Sequence, residues 1–353
     1  MQLLHEAPSV TFSRSSVAAP VVGIDIGGAN LKYASSGGKS FSREFAMWKH
    51  HRDLSETLVD DLSRFGKGLP IAVTMTGELA DCFLDREIGV RHIVESVEQA
   101  TRNTQTRYYS VTGEFFNAAQ AVARIDDVAA SNWHALATLV AGEVCSDAML
   151  VDIGSTTTDI VPLSAGRVAT PAKTDHDRLV EGSLVYVGCA RTPVCALVNE
   201  LQYQGENATV MNEWFATVDD ARVVLGLEKE CPGDRASADN APRDAFHARN
   251  RLARMIGLDH RSVDDEAART LATQIMAAAR ERIQHGIRKV QSLYGFAPNT
   301  TLVLSGHGGD LLPRDVIADR TVIRLDEQWG EVIARSAPAY AVARLMTAVA
   351  VRD

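Results

Sequence analysis

Val21-Val22-Gly23-Ile24-Asp25-Ile26-Gly27-Gly28-Ala29-Asn30-Leu31-Lys32 and Met149-Leu150-Val151-Asp152-Ile153-Gly154-Ser155-Thr156-Thr157-Thr158-Asp159 are two versions of one pattern. Each is a short apolar run that reads as a strand, ends in Asp-Ile-Gly, and bends into a turn that leads to a second strand. In the first copy a glycine turn at Gly37-Gly38 leads on to a third strand over 41–48, an antiparallel meander. Repetition of the unit predicts an internal duplication and two similar α/β lobes that face one another.

Outward from these runs, Leu54, Leu58, Leu62 and Phe65 recur at helical spacing over 53–65. A strand over 69–75, another helical stretch, a strand over 108–111 and a long helical segment toward Val144 complete the first half. After the second meander, 200–226 reads as mostly helical and 228–244 as a loop rich in Pro, Gly, Asp and Ser. Helices resume over 245–255 and 263–294. Thr301-Leu302-Val303-Leu304-Ser305 is a strand that ends in Gly306-His307-Gly308-Gly309, and 330–351 reads as a final helix packing back on the first half. The expected organisation is a flexible tail over 1–19, lobe I over 20–145 completed by a C-terminal helix in 330–353, and lobe II over 146–329.

A chain of 353 residues exceeds one small domain and suits two cores. A hydrophobic content of 46% with 23% charged residues is that of a soluble globular protein. The net charge of −9 argues against wholesale binding of a nucleic-acid backbone, so phosphate recognition should be local. Cys82, Cys145, Cys189, Cys195 and Cys231 form no Cys-x-x-Cys pair, which points to reduced thiols rather than a disulfide framework or a zinc ribbon. No run resembles a signal peptide or a membrane span. A cytoplasmic enzyme acting on small molecules, with no nucleic-acid or membrane partner and compatible with a homodimer, is the expectation.

The loops carry the chemistry. Gly27 and Gly28 let backbone N–H groups approach phosphate oxygens, Asn30 and Lys32 add donors, and Asp25 at the strand end suits Mg²⁺. In the second copy Gly154, Ser155, Thr156, Thr157 and Thr158 supply N–H and hydroxyl donors for phosphoryl oxygens, between the carboxylates of Asp152 and Asp159. Asp25, Asp152 and Asp159 are the candidate metal-side groups. Gly306, His307, Gly308 and Gly309 offer bare backbone against which a flat ring could lie.

In order, these three motifs resemble the phosphate-1, phosphate-2 and adenosine motifs of the actin, sugar-kinase and heat-shock chaperone ATPase superfamily. The resemblance implies two RNase H-like lobes with a nucleotide-type ligand and Mg²⁺, or a similar divalent cation, in the cleft between them. A narrower likeness rests on Leu69 to Phe83, with its Thr74-Met75-Thr76-Gly77-Glu78-Leu79-Ala80-Asp81 string, on Tyr186-Val187-Gly188-Cys189-Ala190-Arg191-Thr192-Pro193, and on Ser336-Ala337-Pro338-Ala339-Tyr340-Ala341. These stretches are similar to the hydantoinase/oxoprolinase-related proteins linked to tetrahydromethanopterin one-carbon transfer and, in bacteria, to methylotrophy.

That family implies methanofuran or methylofuran biosynthesis: a furan diphosphate joined to γ-glutamyltyramine as an aryl ether, with release of diphosphate. ATP could bind such a cleft but should not be required. Glu78 is the first choice as base for the phenol, with Asp152 and Asp81 as other candidates; Asp25 and Asp152 are expected to act on the metal side. Asp81 is a candidate partner of the furan's aminomethyl cation, Arg191 of the glutamyl carboxylate, and His307 of the ring. An ATP-dependent small-molecule kinase, a hydantoinase-like enzyme and a nucleotide-binding switch without turnover stay open at this point.

Overall fold

The computed structural model describes residues 20–102 and 104–350; the tail expected over 1–19 lies outside them. The first apolar run forms β1 (Val22–Ile26) and doubles back through β2 (Asn30–Ser35) and β3 (Ser40–Glu44). β4 (Ile71–Met75) runs parallel to β1 on its other side, and β5 (Thr106–Tyr109) and β6 (Phe115–Phe116) follow, giving the order β3-β2-β1-β4-β5-β6. The second run repeats the plan. β7 (Ala148–Ile153) pairs antiparallel with β8 (Thr158–Ser164), flanked by the short β9 (Arg167–Val168) and β10 (Leu184–Val185). A separate hairpin, β11 (Glu200–Tyr203) and β12 (Glu206–Thr209), intervenes before β13 (Leu302–Gly306) returns parallel to β7 and β14 (Val322–Arg324) closes the order β10-β8-β7-β13-β14. Each lobe is thus a meander whose first strand gains a parallel neighbour, which is the RNase H-like plan.

Strand parity decides what the inner faces hold, because successive side chains point to opposite sides of a sheet. Val22, Ile24 and Ile26 face an outer core with the helices Leu54–Ser63 and Arg86–Ala100. Met149, Val151 and Ile153 face a second outer core under the helix Asp265–Leu293. Between the sheets lies a third core, built on the helices Asn132–Glu143 and Ala337–Ala350 and reached from both lobes by Ala34, Ala72, Leu150, Val161 and Val303. The last helix can lie this close because β1 carries glycine there: a Cβ on Gly23 would stand 1.8 Å from the Ala339 carbonyl oxygen. By the same alternation Asp25, Lys32, Thr74, Asp152, Asp159 and Ser305 fall on the inner faces, where the strands run out beyond the helical layer.

Several sequence expectations need correction. The third strand stops at Glu44, since Phe45 and Met47 donate backbone N–H bonds of 2.9 Å to Ala29 and Gly28 and the chain coils into the short helix Met47–His50 beneath the first loop. The region 200–226 is not mostly helical: Leu201 is buried while Gln202 is exposed, a strand alternation, and Gln204-Gly205 turns the β11–β12 hairpin with positive φ at both residues. Only Val218–Leu225 there is helix. The segment toward Val144 is three helices, Ala118–Ala123, Ile125–Val128 and Asn132–Glu143, parted at Ala130, whose φ is 46°. The final helix expected over 330–351 is two pieces, Glu331–Ala334 and Ala337–Ala350, the second starting with Pro338 in its first turn, and Gly330 (φ 84°) parts the first from the short helix Leu325–Trp329. All five cysteines are free thiols. Among the described residues no helix is long and apolar enough to cross a membrane.

Candidate active site

The first loop is the β1–β2 bend. Gly27 N–H closes it on the Asn30 carbonyl at 3.0 Å, and a Cβ on Gly27 would crowd that oxygen at 2.9 Å. Gly28 has open space around it and partial exposure, so its backbone can meet a ligand. Across the ladder Asp25 faces Lys32 on one side and Thr74 on the other. The Lys32 ammonium stands 3.5 Å from Asp25 Oδ2, while Asp25 Oδ1 is buried without a partner. Burial raises the Asp25 carboxyl above the usual range; Lys32 opposes this and Asp159 adds to it.

The second loop repeats the geometry with different charges. Asp152 faces Asp159 across the β7–β8 ladder and Ser305 on β13. Desolvation, then the Asp159 carboxylate, push Asp152 up to about 6 against the pull of Lys32. Lys32 therefore acts on Asp152, and Asp159 on Asp25, from opposite lobes: the two bends face the same space. The turn itself is braced from behind. Cys189 N–H donates to Gly154, and the N–H groups of Ala190 and Arg191 donate to Ser155, at 2.8–3.0 Å. A Cβ on Gly188 would stand 2.5 Å from the Thr156 nitrogen. Gly154, Ser155, Thr156 and Thr157 stay partly exposed.

Three expectations here are overturned. Thr158 is buried and its hydroxyl donates to the Val187 carbonyl at 2.7 Å, so it is not a phosphate donor. Asp159 is committed to Arg178 at 2.7 Å, and Arg178 lies 1% exposed with its guanidinium 4.0 Å from the Trp133 ring centroid. A three-carboxylate metal set is accordingly not assembled; among the described residues no three His, Cys, Asp or Glu gather as one. Gly306 and Gly308 do not offer a bare platform, since Cβ atoms there would strike the Ile153 carbonyl oxygen at 2.2 Å and the Ile153 side chain at 2.3 Å. They are close-packing glycines.

His307 does reach the second loop, with Nε2 3.3 Å from the Ser155 hydroxyl. Local desolvation and the neighbouring Lys32, Arg222 and Arg335 charges push its imidazole below the usual range, an effect that solvent tempers because the residue is exposed. The loop is tied down by a residue the sequence did not single out. Arg222, 3% exposed, grips both Asp310 oxygens at 3.0 and 2.9 Å and donates to the Cys189 and His307 carbonyls. Gly309 is partly exposed beside Arg324.

Glu78 is 1% exposed and sits where β4 runs out. Thr76 and Gly77 both donate to the Ile26 carbonyl, at 2.9 and 3.0 Å, which fixes this turn to the first loop. Gly89 lets the helix Arg86–Ala100 close on it, because a Cβ there would lie 2.0 Å from the Glu78 carbonyl oxygen. Desolvation lifts Glu78 to about 7, its own N–H and that of Ala130 pull back, and Asp175 of lobe II raises it further. Its Oε2 has no protein partner. Asp81, by contrast, is exposed on the next turn and is not among the main influences on either loop carboxylate. Beyond the expected residues, Thr74 joins this corner through a 2.8 Å contact with the Ser131 hydroxyl, which itself donates to the Tyr109 carbonyl.

Two RNase H-like lobes whose β-hairpin bends face each other across a cleft define a protein of the actin-like ATPase superfamily fold. The chain belongs to the hydantoinase/oxoprolinase family, whose model matches residues 71–349. It is 33% identical over 330 residues to the (4-{4-[2-(gamma-L-glutamylamino)ethyl]phenoxymethyl}furan-2-yl)methanamine synthase of Methanocaldococcus jannaschii, covering 92% of this chain and 97% of that protein. A protein of the same name from Methanococcus vannielii is 28% identical over 216 residues, 60% of this chain and 95% of that one. Among solved structures, nucleotide-free acetone carboxylase matches with a TM-score of 0.54 and 11% identity, over 92% of this chain and 70% of that chain. That likeness speaks for the fold alone.

Proposed function

We propose that this chain is a transferase of methanofuran-type cofactor biosynthesis, joining an (aminomethyl)furanylmethyl diphosphate to γ-glutamyltyramine as an aryl ether. The observation that carries the reading is 33% identity extending over 97% of a synthase named for that ether. The geometry supports it. Two bends from opposite lobes suit one diphosphate, and a buried carboxyl lifted to about 7 lies one turn from the first bend.

The phenol oxygen bonds to the furanylmethyl carbon as the carbon–diphosphate bond breaks, and the phenol proton passes to Glu78. A phenol near pKa 10 is a weaker acid than Glu78 by about three units, so proton transfer accompanies C–O bond formation rather than preceding it. The N–H groups around Gly28 and at Gly154 to Thr157, with Lys32, orient the diphosphate and take up charge as it leaves. A divalent cation such as Mg²⁺ would be held by Asp25, whose buried Oδ1 has no protein partner, together with Asp152. When bound it neutralises charge on the leaving group. No ATP is consumed in this scheme, and the substrates are small molecules.

The test is direct. Purified protein with the furan diphosphate, γ-glutamyltyramine and Mg²⁺, without ATP, should release one diphosphate per ether formed. Diphosphate release that demands ATP, or no ether at all, refutes the reading.

A further inference from the structure

Diphosphate and base account for one end of the reaction, and the far end of the acceptor needs its own place. Beside the second loop lies a cavity of about 290 Å³ that reaches Thr156 and is walled by Tyr186, Pro193 and Leu197, with Arg191 and Arg282 on its lining. Ligand pockets usually run from roughly 300 to 1,000 Å³, so this one suits a single arm of a substrate.

The two arginines are the informative part. The chain carries 45 acidic and 36 basic residues, yet among the described residues neither Arg191 nor Arg282 forms an ion pair. Arg282 spends one donor on the Ala196 carbonyl, at 3.1 Å, which leaves most of its five N–H groups unspent. Arg191 lies over the Trp48 ring, 4.9 Å from its centroid, and Trp48 belongs to the other lobe. Two exposed guanidiniums, neither spent on a carboxylate of the chain, stand at one partly apolar cavity, one of them over a cross-lobe aromatic, and together suit an anionic group on an apolar stem.

We infer that this cavity is the acceptor subsite, in which Arg191 and Arg282 hold the α-carboxylate of the γ-glutamyl group while Tyr186 and Pro193 flank the tyramine body. The assignment rests on the synthase reading and adds a basis for selectivity. Free tyramine offers two arginines only an ammonium, which they repel; glutamylation turns that nitrogen into an amide and ends the arm in a zwitterionic α-amino acid, whose carboxylate the arginines can hold with its ammonium turned away. The subsite therefore admits the capped amine and rejects the bare one.

Equilibrium binding by titration calorimetry on the full chain tests this without turnover. Wild type should bind γ-glutamyltyramine about tenfold or more tightly than tyramine, the scale of one charge-assisted contact. Arg282→Gln should erase that difference by weakening γ-glutamyltyramine alone, with an unchanged melting temperature as proof of folding. In the ether assay the same variant should raise the acceptor KM and leave kcat nearly unaltered. Equal affinity for the two amines in wild type, no acceptor binding, or an Arg282→Gln variant that binds as wild type does overturns the subsite. Failure of the synthase reading looks different: the acceptor binds with this selectivity and no ether forms.

Discussion

Lys32 and Asp159 are register equivalents: Lys32 stands opposite Asp25 across the first hairpin as Asp159 stands opposite Asp152 across the second. The duplication thus places one cation and three carboxylates at the ends of two inner faces. Lys32 lowers both Asp25 and Asp152, and Asp159 raises both. Lys32→Met should therefore weaken the diphosphate substrate and push both aspartates further toward protonation. A rise in KM of about tenfold or more, from a lost contact of roughly 1.5–3 kcal/mol, is the expected kinetic result.

Glu78 sets the pH dependence. As a base it acts when ionised, so kcat/KM should rise with pH through about 7 and level off above it. Glu78→Gln should abolish that limb and cost roughly 10²–10⁴ in kcat. Stability runs the other way. The folded-state pKa, about 7, exceeds the ordinary glutamate value of 4.5, so between them the native state binds more protons than the unfolded one and stability falls as pH rises. At about 1.4 kcal/mol per unit, wild type should lose roughly 3 kcal/mol across that window, and Glu78→Gln should show a flatter melting profile.

Gly188 is the brace of the second loop. A methyl group 2.5 Å from the Thr156 nitrogen forces the bend forward, so Gly188→Ala should cost about 1–3 kcal/mol and raise KM for the diphosphate substrate more than for the acceptor. Thermal melts beside steady-state kinetics separate the two effects.

Asp159 and Arg178 form a buried pair at the inner face of lobe II. Removing only the carboxylate, as in Asp159→Ala, strands a guanidinium that is 1% exposed, and should cost about 3–5 kcal/mol by denaturant unfolding. The Asp159→Ala and Arg178→Met double variant should recover part of that loss.

The strand ends were legible because their signal is local: an apolar run, an aspartate, a glycine turn, twice over. Glu78 was legible as a carboxylate after a strand, though its burial depends on Gly89 of a helix that sequence spacing does not bring near it. Thr158 was misread although strand parity held the answer. It pairs with Ile153, so it shares the outer side of the sheet while Asp152 and Asp159 share the inner one. Thr74 and Ser305 could have been found by laying one copy over the other, since each stands level with the aspartate of its lobe. Arg222, Gly188 and Trp48 carried no such mark, because each matters through contacts distant in sequence. The β11–β12 hairpin was missed at Gln204-Gly205, a turn pair lacking the Asn-Gly or Asp-Gly signature.

If both bends hold one diphosphate, calorimetric titration of inorganic diphosphate into the protein with Mg²⁺ should show a single site per chain. That site should be lost in Gly28→Val and equally in Gly154→Val, one substitution in each lobe, with both variants folded. No heat from wild type, or binding that survives either substitution, contradicts a diphosphate held by both bends.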